Sequence, residues 1–549
     1  MNNSRVWKSS SIITAQMIVA CVAALLLLWG LGNPYLWQDE AATAVLARRM
    51  LRFGRPLAYD GVNLITIDHF AAEEKATIDQ RTRDPQAAIN YYVRRGDLKA
   101  DTTWKWQPWG QFVVAALSFK TLGATTLAAR LPFALAGIAT VLILYRFVLT
   151  YFKHAQMALL ASGFLVLNAY WILHGRQCRY YSLSSLFMVL TLVSYARWQW
   201  GGRWGGALFV ITAWCWFQVD YGTVWPVLGV LFADAVVAHR RSLWRPTLVG
   251  GALGAAIAPF AYYYELWGRH SVRLGTWHDS FMRNLLNVNE YVVPVLIVGA
   301  AIAVSVYRWK TLPVAERRLV VIACAILVVL LFWVPAVAPF PLLRYVIIMA
   351  PVGCLLVAWV LVRLGGSLPR GLTWAAAAIF LLTPWLSLPL SLPLHVMHRA
   401  KYRRPTVFRR ELEVLRKSVF GHRPDPNRLV ADWLKQNAAA DDEILINYED
   451  IPLMFYLPNP IRGGVAAFRV EDDAKRPPDF VVLRHSVEFG HWPVYLREVQ
   501  RYGWTPVPLQ APDVHWGNCP DPIAQEEDPA HAQSIYIVRR AVWQGTPAP

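Results

Sequence analysis

The sequence predicts a polytopic α-helical membrane protein with a soluble α/β domain after the last span. Three observations carry that fold class. Of 549 residues 56% are hydrophobic and the mean hydropathy is +0.31, too apolar for a water-soluble chain. Apolar runs long enough to cross a bilayer, about 20 residues each, recur between residues 11 and 391. Lys and Arg collect in every second loop between those runs, as the positive-inside bias requires.

The runs fall near 11–31, 127–148, 155–173, 181–198, 205–218, 221–238, 246–264, 289–307, 319–336, 343–362 and 371–391. Trp171, Trp198, Trp204, Trp267, Trp309 and Trp333 stand at or near their ends, at the depth where indoles anchor. The first run follows Arg5 and Lys8 and has no small-residue cleavage site before Trp37, so it reads as a retained signal anchor. With the N-terminus inside, the inner loops hold Arg146 and Lys153, Arg197 and Arg203, Arg240, Arg241 and Arg245, then Arg308, Lys310, Arg317 and Arg318, then Arg363 and Arg370. The outer loops 219–220 and 337–342 hold no Lys or Arg, which supports about eleven spans with the C-terminus outside. The basic stretch "HRAKYRRPTVFRRELEVLRK" after the last run pulls the other way, although large trailing domains translocate despite their charge. Losing one span would put that domain in the cytoplasm. Much of the net charge of +18 is therefore topological, and nucleic acid is not an expected partner.

Two soluble parts are expected within a division into 1–394 and 395–549. The first outer loop, 32–126, has Ala42, Leu46, Met50 and Phe53 on one helical face, stopped by Gly54 and Pro56. That pattern and "PWGQFVVAALSFKTLG" predict helices lying in the membrane interface. The C-terminal part mixes helix-like "NRLVADWLKQNA" with strand-like "EILINY", "DFVVLR" and "SIYIVRR", a small α/β domain. Cys21, Cys215, Cys324 and Cys354 lie in apolar runs, Cys178 and Cys519 are far apart, and no zinc spacing occurs.

Four places carry candidate chemistry. Asp39 and Glu40 follow the first span; taken alone, helix capping explains them better than a carboxylate base that takes a proton from a hydroxyl at the membrane surface. "HGRQCRYYSLSS" sets Arg176 and Arg179 with Tyr180 and Tyr181 at an outer helix end, where phosphate binding competes with snorkelling. Arg344 in "PFPLLRYVIIMAP" needs an anionic partner at its depth, a lipid phosphate or an ordinary headgroup. Glu265, Arg269, His270, Arg273, His278, Asp279 and Arg283 share one outer loop, and Asp220-Tyr221 form a short outer turn on the same side.

In order along the chain, "WQDEAATAVLARRMLRFGRP", "WQPWGQFVVAALSFKTLGATTLAARLPFALAG", "HGRQCRYYSLSS" and "RYVIIMAP" resemble the GT-C glycosyltransferases. The likeness is to the bacterial branch of protein O-mannosyltransferases and lipid A aminoarabinose transferases, and covers roughly the first 350 residues. "LVADWLKQNAAADDEILINYEDIPLMFYL" continues it faintly. The resemblance implies an integral enzyme of the bacterial cytoplasmic membrane, its active site and C-terminal domain facing the periplasm or exterior. It implies transfer of a hexosyl or pentosyl group from a polyprenyl-phosphate donor to a hydroxyl of a glycan, lipid or protein, with inversion. It places the base on Asp39, beside Glu40, and the donor phosphate on Arg176, Arg179 and Arg344. Three departures stand against a full carry-over. Trp106-Gln107-Pro108-Trp109 replaces a usual Lys-Pro-Pro, leaving Lys105 as the cationic substitute. Tyr180 and Tyr181 replace a second Asp. The first loop also carries a charged segment from Asp60 to Thr103, with Asp68-His69 and Asp101, as an acceptor lid or as decoration. No cofactor is certain: Asp39 and Glu40 leave a divalent cation, Mg or Mn, an open alternative. Tyr180, Tyr181, Asp220, Tyr221 and His270 make up the expected pocket.

Other classes predict other patterns. A transporter places ionisable groups near the midplane and repeats its halves, whereas here charges gather at helix ends. A polysaccharide ligase with a diphosphate-linked donor differs only in the Asp-Glu loop. Nothing specific favours a structural membrane protein with a sensing domain.

Overall fold

The computed structural model describes residues 9–65, 102–266, 277–338, 340–365, 370–397, 410–421, 424–446, 448–463, 477–484, 504–514, 519–520, 522, 532 and 534–540. Helices α1 (Ser9–Leu28), α2 (Gln38–Phe53), α3 (Gly110–Leu122), α4 (Thr126–Tyr151), α5 (Ala155–Val166) and α6 (Ala169–Gly175) come first. There follow α7 (Tyr181–Gln199), α8 (Gly205–Phe217), α9 (Tyr221–Ala238), α10 (Trp244–Tyr263) and α11 (Trp277–Asn287), which runs into a π turn (Val288–Val292). Next are α12 (Val295–Tyr307), α13 (Val314–Val337), α14 (Leu343–Val346), α15 (Ala350–Gly365), α16 (Arg370–Leu382), α17 (Leu388–Met397) and α18 (Glu411–Phe420). The C-terminal part holds α19 (Pro426–Asn437), β1 (Ile444–Ile446), α20 (Asp450–Tyr456), β2 (Ile461–Arg462), β3 (Phe480–Leu483), β4 (Trp504–Pro512) and β5 (Ser534–Arg540).

These elements form two compact units: Met1–Leu31 with Leu131–Gly421, and Gly32–Arg130 with His422–Pro549. The first outer loop therefore folds with the C-terminal segment, a grouping different from a cut at 394/395.

Helices occupy all eleven expected positions, but among the described residues four are long and apolar enough to span: Thr126–Tyr151, Tyr221–Ala238, Val314–Val337 and Leu343–Gly365. Two bent pairs, at 67° and 78°, bring the number to six if each is one span. The breaks have local causes. Asn168 caps α6, accepting from the Trp171 N–H at 3.0 Å, so the run 155–173 is two helices. Pro294, with no N–H to give, separates the π turn from α12. The expected span 371–391 is interrupted between Leu382 and Leu388, where Pro384 falls. Two ion pairs link helices of the bundle, as low dielectric favours. Asp234 on α9 meets Arg318 on α13 at 2.5 Å and accepts from Tyr195 on α7. Glu316 on α13 takes Arg363, and the Trp359 indole N–H at 2.7 Å, both from α15.

In the second unit a five-stranded sheet runs in the order β2-β1-β3-β5-β4. β1 is parallel to β2 and β3, with Ile444 opposite Ile461 and Phe480; β5 is antiparallel to β3, with Val538 opposite Val481. The three strand-like stretches are β1, β3 and β5. β4 carries Pro506, Pro508 and Pro512, which a strand accepts at a sheet edge. The segment 60–103 lies largely outside the described residues, but its base is stapled: Leu57 pairs with Thr103, and Ala58 N–H donates to the Thr102 carbonyl at 2.8 Å.

Candidate active site

Asp39 is the second residue of α2. The N-cap is Trp37, in extended conformation and without a side-chain capping bond, so Asp39 gains the favourable end of the helix dipole without being the cap. Both of its neighbours are gripped. Glu40 is fully buried and takes a two-pronged contact from Arg130, at 2.7 and 2.6 Å. Arg130 also donates to the carbonyls of Pro34 at 2.7 Å and Tyr35 at 3.3 Å. Gln38 donates its amide N–H to Asp450 Oδ1 at 2.7 Å and accepts from the Ile451 N–H at 3.4 Å. Two residues of one turn that point in different directions are thus fixed, and Asp39, half-buried, sits between them.

Further along α2, Arg48 donates to the carbonyls of Met454 and Phe455 at 2.6 and 3.0 Å, satisfying the end of α20. Arg49 is buried and reaches Asp60 and the carbonyls of Leu57, Ala58 and Asn63; burial pushes its pKa down to about 10. The sequence places Arg48, Arg49 and Arg52 off the apolar face, on a helix lying in the interface. Instead nearly all of Gln38–Ala47 is buried within protein, and only the last turn exposes Leu51 and Phe53. Gly54, at φ 74°, ends the helix as expected.

A pair of acids stands behind the first turn. Glu449 is buried and accepts from Asn427 at 3.0 Å; Asn427 also donates to the Leu36 carbonyl at 3.1 Å and accepts from Arg484 at 3.3 Å, whose guanidinium pairs with Asp513 at 2.7 Å. Burial pushes Glu449 up to about 7, Arg484 opposing and the charges of Asp450 and Asp39 adding to the rise. Burial raises Asp450 to about 6, against the hydrogen bond from Gln38. Nothing in composition or spacing singled out Glu449 and Asp450; a buried Glu-Asp pair opening a helix was the available signal. Lys105 is buried in this same unit.

The first unit gathers part of the expected phosphate site. Tyr180 lies within electrostatic reach of Arg179, Arg344, Asp220 and Tyr345. Arg179 lies over the Tyr180 ring at 5.8 Å, and Tyr180 packs on Tyr181 at 4.7 Å. Arg176 goes elsewhere: its guanidinium donates to the carbonyls of Leu26 and Trp29, both at 2.6 Å, closing the end of α1. Asp220 caps α9, accepting from the Gly222 and Thr223 N–H groups, and binds Ser184 and Thr223 hydroxyls at 2.9 and 2.6 Å. Tyr221 packs in an aromatic cluster with Phe217 and Tyr264. His270, with Arg269, Arg273, Asp68, His69 and Asp101, lies outside the described residues. Among the described residues no three or more His, Cys, Asp or Glu side chains are arranged to hold a metal ion, so no step is derived through one. None of the six cysteines is in a disulfide.

No family model matches the sequence, and no curated protein matches it either. Solved structures do. The crystal structure of ArnT from Cupriavidus metallidurans bound to undecaprenyl phosphate aligns over 98% of this chain and 100% of that one, with a TM-score of 0.57 and 13% identity. The apo form of the same protein aligns over 97% and 98%, with a TM-score of 0.50 and 13% identity. At that identity the likeness is one of fold: this chain shares the fold of these two ArnT structures, in agreement with the order of motifs along it.

Proposed function

We propose that the protein is an integral-membrane glycosyltransferase that moves a sugar from a polyprenyl-phosphate donor to an acceptor hydroxyl outside the cytoplasm. The observation that carries this reading is the turn Gln38-Asp39-Glu40, with a half-buried carboxylate between two immobilised neighbours in a chain of this fold. Asp39 takes the proton of the acceptor hydroxyl as its oxygen attacks the anomeric carbon. The bond to the phosphate oxygen breaks on the opposite face, so the configuration inverts. Negative charge grows on the departing lipid phosphate, and fixed guanidinium groups in a poorly solvated site stabilise it. That task suits Arg179 and Arg344, with Lys105 as the further cation; Arg176 is committed to α1 and Glu40 to Arg130. The acceptor is a glycan, lipid or protein hydroxyl, and the membrane is the bacterial cytoplasmic one.

The test is donor turnover by protein purified with its native lipids, using a panel of radiolabelled polyprenyl-phosphate sugars. Wild type consumes one of them, and Asp39→Asn binds it but turns over roughly 10²–10⁴-fold more slowly, the usual contribution of a positioned base. Equal rates would remove Asp39 from the chemistry. Failure of both proteins to bind any lipid-phosphate sugar would favour the diphosphate-donor ligase or a transporter.

A further inference from the structure

We infer that Gln38 and Asp450 are positioning residues for Asp39: Asp450 locks the first turn of α2 through the Gln38 amide. The inference rests on the reading of Asp39 as base.

The Gln38 side chain uses both ends of its amide on the start of α20, one on the Asp450 carboxylate and one on the Ile451 N–H. Gln38 and Asp450 are both buried, so water does not compete for these bonds. Asp450 itself has no room to move. A Cβ on Gly463 would lie 2.0 Å from the Asp450 Cβ and 2.4 Å from its Oδ2, so glycine is what lets the carboxyl sit against that backbone. A misplacement of about 1 Å at a reacting group costs up to roughly 10²-fold in rate, which is the scale of what such a lock protects.

The experiment compares wild type, Gln38→Met, Asp450→Asn and Asp39→Asn, full-length in native lipids, by kcat and donor KM. Gln38→Met loses both amide bonds; its kcat falls roughly 10- to 10²-fold with donor KM unchanged. Asp450→Asn keeps an oxygen that accepts from the Gln38 amide, so its kcat stays near that of wild type. Wild-type kcat in Gln38→Met would overturn the inference. Should Gln38→Met fail to fold, Asp450→Asn decides alone, and a fall as deep as that of Asp39→Asn would overturn it. Inactive wild type, or active Asp39→Asn, instead defeats the reading of Asp39, so the two failures are separate.

Discussion

Asp39 and Glu40 are adjacent in sequence and opposite in circumstance. Neighbours on a helix do not share a face, which is why the sequence shows an acidic pair but not which member Arg130 holds. Glu40 is fully buried against Arg130. Removing one partner of a buried pair leaves an uncompensated charge, so Arg130→Met costs about 3–5 kcal/mol, and adding Glu40→Gln recovers part of it. Thermal unfolding in native lipids checks both. The same limit on sequence reading applies to Arg176 and Arg179. Their spacing suggested one phosphate site, but carbonyls at the end of α1, contributed by a segment about 150 residues earlier, claim Arg176. Arg179→Gln and Arg344→Gln are accordingly expected to weaken binding of a polyprenyl-phosphate probe roughly tenfold or more, by loss of a charge-assisted bond. Arg176→Gln lowers stability and leaves that affinity nearly unchanged.

At the scale of elements, the apolar runs located the helices well because burial in lipid or protein imposes composition over a whole turn. Their interruptions were less legible. A single Asn168, Pro294 or Pro384 barely changes the composition of a run yet redirects the backbone. On α2, two of the arginines that the sequence sets off the apolar face meet protein: Arg48 the end of α20, and Arg49 the loop 57–63. β4 escaped notice because its prolines argue against a central strand, and it is an edge. The pH behaviour of the second unit also belongs here. Glu449 lies near 7 in the fold against an ordinary 4.5, and Asp450 near 6 against 3.8, so the fold favours their protonated forms. That contribution is fully present below pH 3.8 and is lost progressively as pH rises through about 7. Melting curves taken from pH 5 to pH 8 should show a fall in wild type that is shallower in Glu449→Gln.

For the whole molecule, the order of motifs was enough to point to the fold, since a fold of this size is set by which apolar segments follow which loops. What stayed hidden was that residues 32–130 and 422–549 make one body, because no local pattern records a pairing across some 400 positions. That body has a topological meaning. Two segments folded together lie on one side of a bilayer, so an even number of spans separates them. Reporters inserted at the exposed Leu51–Phe53 end of α2 and fused at the C-terminus should be accessible from the same side, opposite to a tag at the N-terminus. Opposite accessibility of the first two would reject the expected eleven spans.

The Gln38–Asp450 bond joins residues 412 positions apart. At a ribosomal pace of 5–20 residues per second, the second partner is made roughly 20–80 s after the first. During that interval the helix bearing Asp39 has been made but lacks its clamp and its Arg48 acceptors. A chain released early, with every span in place, would carry the whole acidic turn and still leave it unset. Translation to the far end of the message thus acts as a timer on this site, and premature stop codons beyond residue 421 should silence the protein without emptying the membrane of it.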